Sequence, residues 1–210
     1  AETHSQATVE RLNIHIKQCV AMAVHDEIIQ KDFTTFAKAV SQNKGIEKET
    51  KFLEVEEYKK VIAVSKRKMD VQSYAVICLI AVTGMRFAEC LGLTWDSVDY
   101  DNKVLIVDKT WNYKTNLDFA STKTKSSIRK IPLNDDALKV LADYKAENWQ
   151  ENADNRLFLP ISNNAVNKTL KKIVGRDVHI HSLRHTYASF LILNHVELLS
   201  ISKILGHENM

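Results

Sequence analysis

The sequence predicts a mainly α (α+β) fold in which helices pack around a small antiparallel β-sheet. Three observations carry this. Apolar residues recur at three- and four-residue intervals over most of the 210 residues. Strand signals are confined to two short stretches, from Val104 to Val107 and from Ile128 to Leu133. Five glycines and two prolines leave little room for long linkers, and 45% hydrophobic residues can bury a proper core.

Val9, Leu12, Ile16, Val20 and Ala23 form the stripe of an amphipathic helix from Thr8 to about Gln30, which needs a partner surface. Residues 32–51 are more polar. The stretch Gln42-Asn43-Lys44-Gly45 marks the boundary between residues 1–45 and a larger unit, 46–210. Glu54 to Lys66 reads as a helix, and Val71 to Val82 as a nearly all-apolar one that must run through the core. Thr83-Gly84 breaks it. A short helix carrying Arg86, Glu89 and Leu93 follows, then the turn Tyr100-Asp101-Asn102 and the strand at Val104. Between the two strand signals, Ser121 to Ser127 is polar and suits an exposed hairpin tip. Helices resume at Asp135, at Val166 to Val174 capped by Ser162, at Ser182 to Leu193, and at Val196 to Leu205 closed by Gly206.

The formal charge of +3 permits a polyanionic partner but decides nothing alone. Cys19, Cys78 and Cys90 are odd in number and scattered, which suits a reduced cytoplasmic setting rather than a disulfide framework. The most apolar stretch, Ala75 to Val82, is too short to span a bilayer, so no membrane role is expected.

Three clusters stand out. In Thr83-Gly84-Met85-Arg86-Phe87-Ala88-Glu89 a glycine releases the core helix and Arg86 follows at the surface. Glu89, three residues on, shares its face and can orient a guanidinium, although a surface ion pair would look the same. In His179-Ile180-His181-Ser182-Leu183-Arg184-His185, His181 precedes a helix and Arg184 lies one turn inside it, so both can face one point. His181 and His185 have the spacing of two metal ligands, but Arg184 between them would repel a cation. In Lys203-Ile204-Leu205-Gly206-His207 a glycine ends a helix and His207 follows, which a capping turn alone would explain.

Taken together, Thr-Gly-x-Arg-x-x-Glu, His-x-x-Arg-His and Leu-Gly-His, in that order and with a strand-borne lysine between, resemble the signature of the tyrosine recombinases, the phage-type integrases. The similarity runs from about Leu53 to the last residue. It implies that residues 46–210 are the catalytic domain and that 1–45 hold the end of a helical core-binding domain plus linker. It also implies site-specific recombination of duplex DNA through a 3′-phosphotyrosyl intermediate, with no metal or nucleotide cofactor. In that scheme Arg86 and Arg184 stabilise the charged phosphorane, for which forked donors are best suited. Lys123 is the matching general acid, with Lys125 two residues on and of similar reach. His181 acts as base or partner of the nucleophile, His207 donates to a phosphate oxygen, and Glu89 fixes a neighbouring charged residue. Lys125, Arg129, Lys168 and Lys171 are expected to contact DNA, although the Lys168, Lys171, Lys172 and Arg176 stretch would also serve as a solvated face.

The family's nucleophile stands beyond the Leu-Gly-His motif, so none is expected in this chain. Tyr187, three residues after Arg184 among Ala188, Phe190 and Leu191, reads as core. A chain ending there should bind DNA without cutting it and be monomeric when free, whereas the family's active complexes are tetramers on DNA. Two rival readings remain open at this level. Val196 to Met210 could be half of a helix-turn-helix regulator. His181, His185 and His207 could hold zinc.

Overall fold

The protein is described by a computed structural model covering residues 4–41, 52–115, 117–122 and 127–206. It divides into two compact units, Ala1–Glu49 and Thr50–Met210. In the first, α1 (Gln6–His25) ends five residues before the expected Gln30, where Asp26 leaves helical geometry and Glu27 takes a positive φ of 58°. The segment after it returns along the helix. Gln6 pins it there, its Nε2 donating to the Ala39 carbonyl and its Oε1 accepting from the Ser41 amide, both at 2.8 Å. Of the predicted stripe only Val20 is buried within α1, while Leu12 and Ile16 are exposed.

The second unit is built around α3 (Gln72–Thr83), in which every residue from Ser73 to Ala81 is buried. A helix apolar on all sides must be enclosed on all sides. Around it pack α2 (Val55–Lys66), α5 (Asp135–Glu147), α6 (Asn163–Val174) and α7 (Ile180–Leu193). Capping sets several starts: the Asn134 side chain accepts from the Ala137 amide and the Ser162 hydroxyl from the Ala165 amide. Gly84 and Gly175 close α3 and α6 in the left-handed conformation. Among the described residues the remaining α-helices are short, α4 (Phe87–Leu91) and α8 (Leu198–Leu205).

Two antiparallel sheets flank the helices. One joins β1 (Val98–Asp99), β2 (Val104–Val107) and β5 (Arg129–Pro132), with Leu105 opposite Ile131 and Val107 opposite Arg129. The other is a hairpin of β3 (Lys109–Trp111) and β4 (Phe119–Ser121). Gly92 lets this hairpin approach: a Cβ there would stand 2.8 Å from the Thr110 backbone. The architecture is mainly α, with two small sheets where one was expected. Ser121, expected in an exposed hairpin tip, ends β4, and residues 123–126 of that tip lie outside the described residues, as does the expected linker, 42–51. Among the described residues no helix is long and apolar enough to cross a membrane.

Candidate active site

The site begins at the left-handed turn that ends α3. Gly84 has φ +65°, and a Cβ on it would come within 2.3 Å of the Tyr187 ring and 2.9 Å of Leu205. Only glycine meets both demands. Its carbonyl faces α7 and accepts from Arg184 Nη1 at 2.8 Å. Two residues on, Arg86 caps α4. Its backbone amide donates to Glu89 Oε2 at 2.8 Å and its Nη1 to Glu89 Oε1 at 2.7 Å. The Arg86 side chain remains 40% exposed, so it is held from below and open above.

Glu89 is buried, and both its oxygens also take the fork of Arg129: Nη1 to Oε1 at 3.1 Å and Nη2 to Oε2 at 2.8 Å. Burial alone would raise its pKa, but the hydrogen bonds and charge of Arg129, then those of Arg86, hold it below the usual carboxylate value. Arg129 was expected among the phosphate contacts. It lies instead inside the protein, because strand alternation turns Arg129 and Ile131 to the buried face of β5 and Lys130 and Pro132 outward.

Three guanidiniums then converge on the end of α8. Arg129 Nε donates to the Ile204 carbonyl at 2.6 Å and Arg184 Nη2 to that of Leu205 at 2.5 Å, while Arg86 Nη2 lies 3.5 Å from that of Gly206. The last carbonyls of a helix lack internal partners and carry the negative end of its dipole, so cations satisfy both demands. Gly206, with φ +69°, caps the helix there and leads directly into His207.

Among the described residues the charge balance is three arginines against one carboxylate. Burial, with Arg86 adding like charge, pulls the Arg184 guanidinium down to about 10. His181 stands in the first turn of α7, which starts two residues before the expected Ser182. Its ring meets that of His185 edge to face at 4.7 Å. Packing against the protein, then the charges of His185, Arg184 and Arg86, lower the His181 pKa, which favours the neutral imidazole. Such a pocket is charged to receive an anion and offers forked donors for its oxygens. Among the described residues no group of three His, Cys, Asp or Glu side chains could hold a metal.

Of the expected site residues, Arg86, Glu89, Arg129, Arg184 and His181 are thus brought into one neighbourhood. Lys168 and Lys171 lie apart, lining a cleft of about 310 Å³ on α6 with Asn164, Asn167 and His179. Lys171 pairs with Asp177, and Arg176, beyond the end of α6, pairs with Glu57 at 2.7 Å. Lys123, Lys125 and His207 lie outside the described residues. Leu93, expected on the Arg86 helix, falls beyond its end. Tyr187 is half-buried over Gly84 with its phenol pKa raised by burial.

The chain is similar to a tyrosine recombinase XerC-like protein of Caldanaerobacter subterraneus subsp. tengcongensis, 28% identical over a gapped alignment of 239 positions that covers 98% of this chain and 60% of that protein. It is 32% identical over a gapped alignment of 150 positions to the integrase of Staphylococcus phage L54a, covering 61% of this chain and 42% of the phage protein. The chain therefore spans roughly half the length of such relatives. In structure it resembles the Tn1549 transposon integrase solved with a circular intermediate DNA, with a TM-score of 0.78 at 20% identity over 99% of this chain and 73% of that one. It also resembles lambda integrase, solved as a tetramer bound to a Holliday junction, with a TM-score of 0.63 at 16% identity over 100% of this chain and 66% of that one. These likenesses establish the fold, and residues 51–210 match the phage integrase family, to which this chain belongs.

Proposed function

We propose that this chain carries the phosphate-handling part of an enzyme that cuts and rejoins duplex DNA at specific sites, without a metal, through a 3′-phosphotyrosyl intermediate. The observation that carries the reading is the convergence of Arg86 and Arg184 at the left-handed turn after α3, with Glu89 beneath Arg86. The five-coordinate phosphorus of the transition state gathers negative charge on its non-bridging oxygens. Donors already fixed in place stabilise it without reorganisation. Arg86 supplies the open guanidinium, and Arg184 supplies positive charge from below. His181, kept neutral, serves as base or partner of the attacking hydroxyl, Lys123 protonates the departing 5′-oxygen, and His207 donates to a phosphate oxygen.

Residues 1–45 would be the end of a helical core-binding domain that, with Lys125, Lys168 and Lys171, tracks the DNA backbone. Assembly as a tetramer on DNA is supported by the lambda integrase neighbour, itself solved as a tetramer. A helix-turn-helix regulator would leave the network of half-exposed Arg86 with buried Glu89, Arg129 and Arg184 without a purpose. The test is a nicked suicide DNA substrate incubated with the natural full-length protein. A covalent 3′-adduct should form, and Arg86→Met should reduce its rate about a hundredfold or more. Failure of the unaltered protein to form any adduct on its cognate site would overturn the reading.

A further inference from the structure

The Arg129 guanidinium makes four hydrogen bonds to three residues. Its fork takes Glu89, which holds the amide and side chain of Arg86. Its Nη1 also donates at 3.0 Å to the carbonyl of Ser127, the first described residue after the stretch holding Lys123. Its Nε donates to the Ile204 carbonyl, in the last turn before Gly206 and His207. Three segments far apart in sequence therefore meet on one buried side chain. Among the described residues of the neighbourhood, neither Arg86 nor Arg184 hydrogen-bonds to all three. Arg184 reaches Gly84 and Leu205 but not β5, and Arg86 reaches α8 only through a 3.5 Å contact.

We propose that Arg129 is a positioning residue for the reaction, resting on the function proposed above. It keeps the Arg86 loop, Ser127 just ahead of β5 and the carboxyl end of α8 in one fixed relation while touching no substrate itself. The geometry requires a planar fork with a third donor at an angle to it, which arginine has and lysine lacks. Lysine at this position keeps the charge beside Glu89 but cannot serve Ser127 and Ile204 as well. A pocket held loosely still binds DNA through its other contacts and loses rate instead.

The test is Arg129→Lys in the full-length protein. Its single-turnover cleavage rate at saturating DNA should fall about ten- to a hundredfold, with the Kd for DNA changed less than about twofold. In the 210-residue chain, hydrogen exchange of the Leu205 and Gly206 amides should accelerate at least about tenfold while amides of α5 keep their rates. Unchanged exchange at α8 overturns the proposal. So does an equal acceleration in α5, which would mark a residue that merely stabilises the fold. Unaltered Arg129 supplies a second measurement should the variant fail to fold. Its Nε–H and the Gly206 amide should give the same opening free energy once each rate is divided by that group's intrinsic exchange rate, because one opening releases both, and unequal opening free energies overturn the coupling. Absence of any covalent adduct with the unaltered protein defeats the function proposed above, while the exchange data still decide the role of Arg129.

Discussion

Arg184 donates to the carbonyl of Leu205 at 2.5 Å, joining the middle of the sequence motif His181 to His185 to the end of α8. Its other nitrogen reaches Gly84 at 2.8 Å. One side chain thus closes the ends of α3 and α8 against each other, and both acceptors are buried carbonyls at helix ends. Arg184→Lys can serve only one of them. The variant should lose about 1–3 kcal/mol in urea denaturation, the cost of an orphaned buried carbonyl. If the pocket receives a phosphate as proposed, orthovanadate should raise the melting temperature of the unaltered chain and raise that of the variant less. A variant as stable as the parent would show that the bridge does not form in solution.

Gly84 tests the same turn from the other side. Gly84→Ala meets a left-handed penalty of about 1–2 kcal/mol. It also drives a methyl into the Tyr187 ring, 2.3 Å away, which adds about 1–3 kcal/mol of overpacking. Tyr187→Leu in the Gly84→Ala background should recover part of the second contribution and none of the first. Chemical denaturation of the two single variants and the double variant separates them, because the coupling energy of the cycle reads the clash alone.

The arginines of this pocket were legible from sequence to different degrees, for a physical reason. Arg86, Glu89 and Arg184 sit in motifs whose spacing survives in one dimension, and the structure brings them together. Arg129 looked like one more basic residue beside a polar hairpin. Its burial follows from a phase, since it is two residues from Ile131 on a strand and faces the same way. The alternation Arg129-Lys130-Ile131-Pro132 held that signal. The early start of α7 had no local signal, because the Ile180 amide is satisfied by Asn167 Oδ1 of α6 at 2.7 Å, a cap supplied by tertiary contact. The hairpin of β3 and β4 was equally hidden. Its strands are three residues long, and its packing rests on Trp111 against Phe119 and Arg156.

Glu89 makes the pocket sensitive to acid. Its folded pKa lies below the ordinary 4.5, so its contribution to stability is present above that value and lost as pH falls through the folded pKa. Glu89→Gln removes the charge that compensates Arg86 and Arg129 and should cost about 3 kcal/mol at neutral pH. The gap between parent and variant should stay constant from pH 7 down to about 5, then narrow below 4.5 as the parent's carboxylate protonates. Urea titrations at pH 7, 5 and 3.5 measure it. A gap independent of pH would mean that the glutamate acts through shape rather than charge.

The α6 cleft separates two lysines that look equivalent in sequence. Lys168 has an exposed side chain, whereas Lys171 is paired with Asp177, whose own pKa is lowered by that hydrogen bond. If both meet DNA phosphates, only Lys168 brings a charge not already compensated. Lys168→Gln should therefore lower the slope of log Kobs against log salt by about 0.9, and Lys171→Gln by less. Asp177→Asn releases Lys171 and should tighten DNA binding by up to about fivefold at low salt, equivalent to the ~1 kcal/mol of a surface ion pair. Fluorescence anisotropy across a salt series reads all three variants. If Asp177→Asn weakens binding instead, the ion pair is holding Lys171 in its binding pose, and the two lysines belong to one contact.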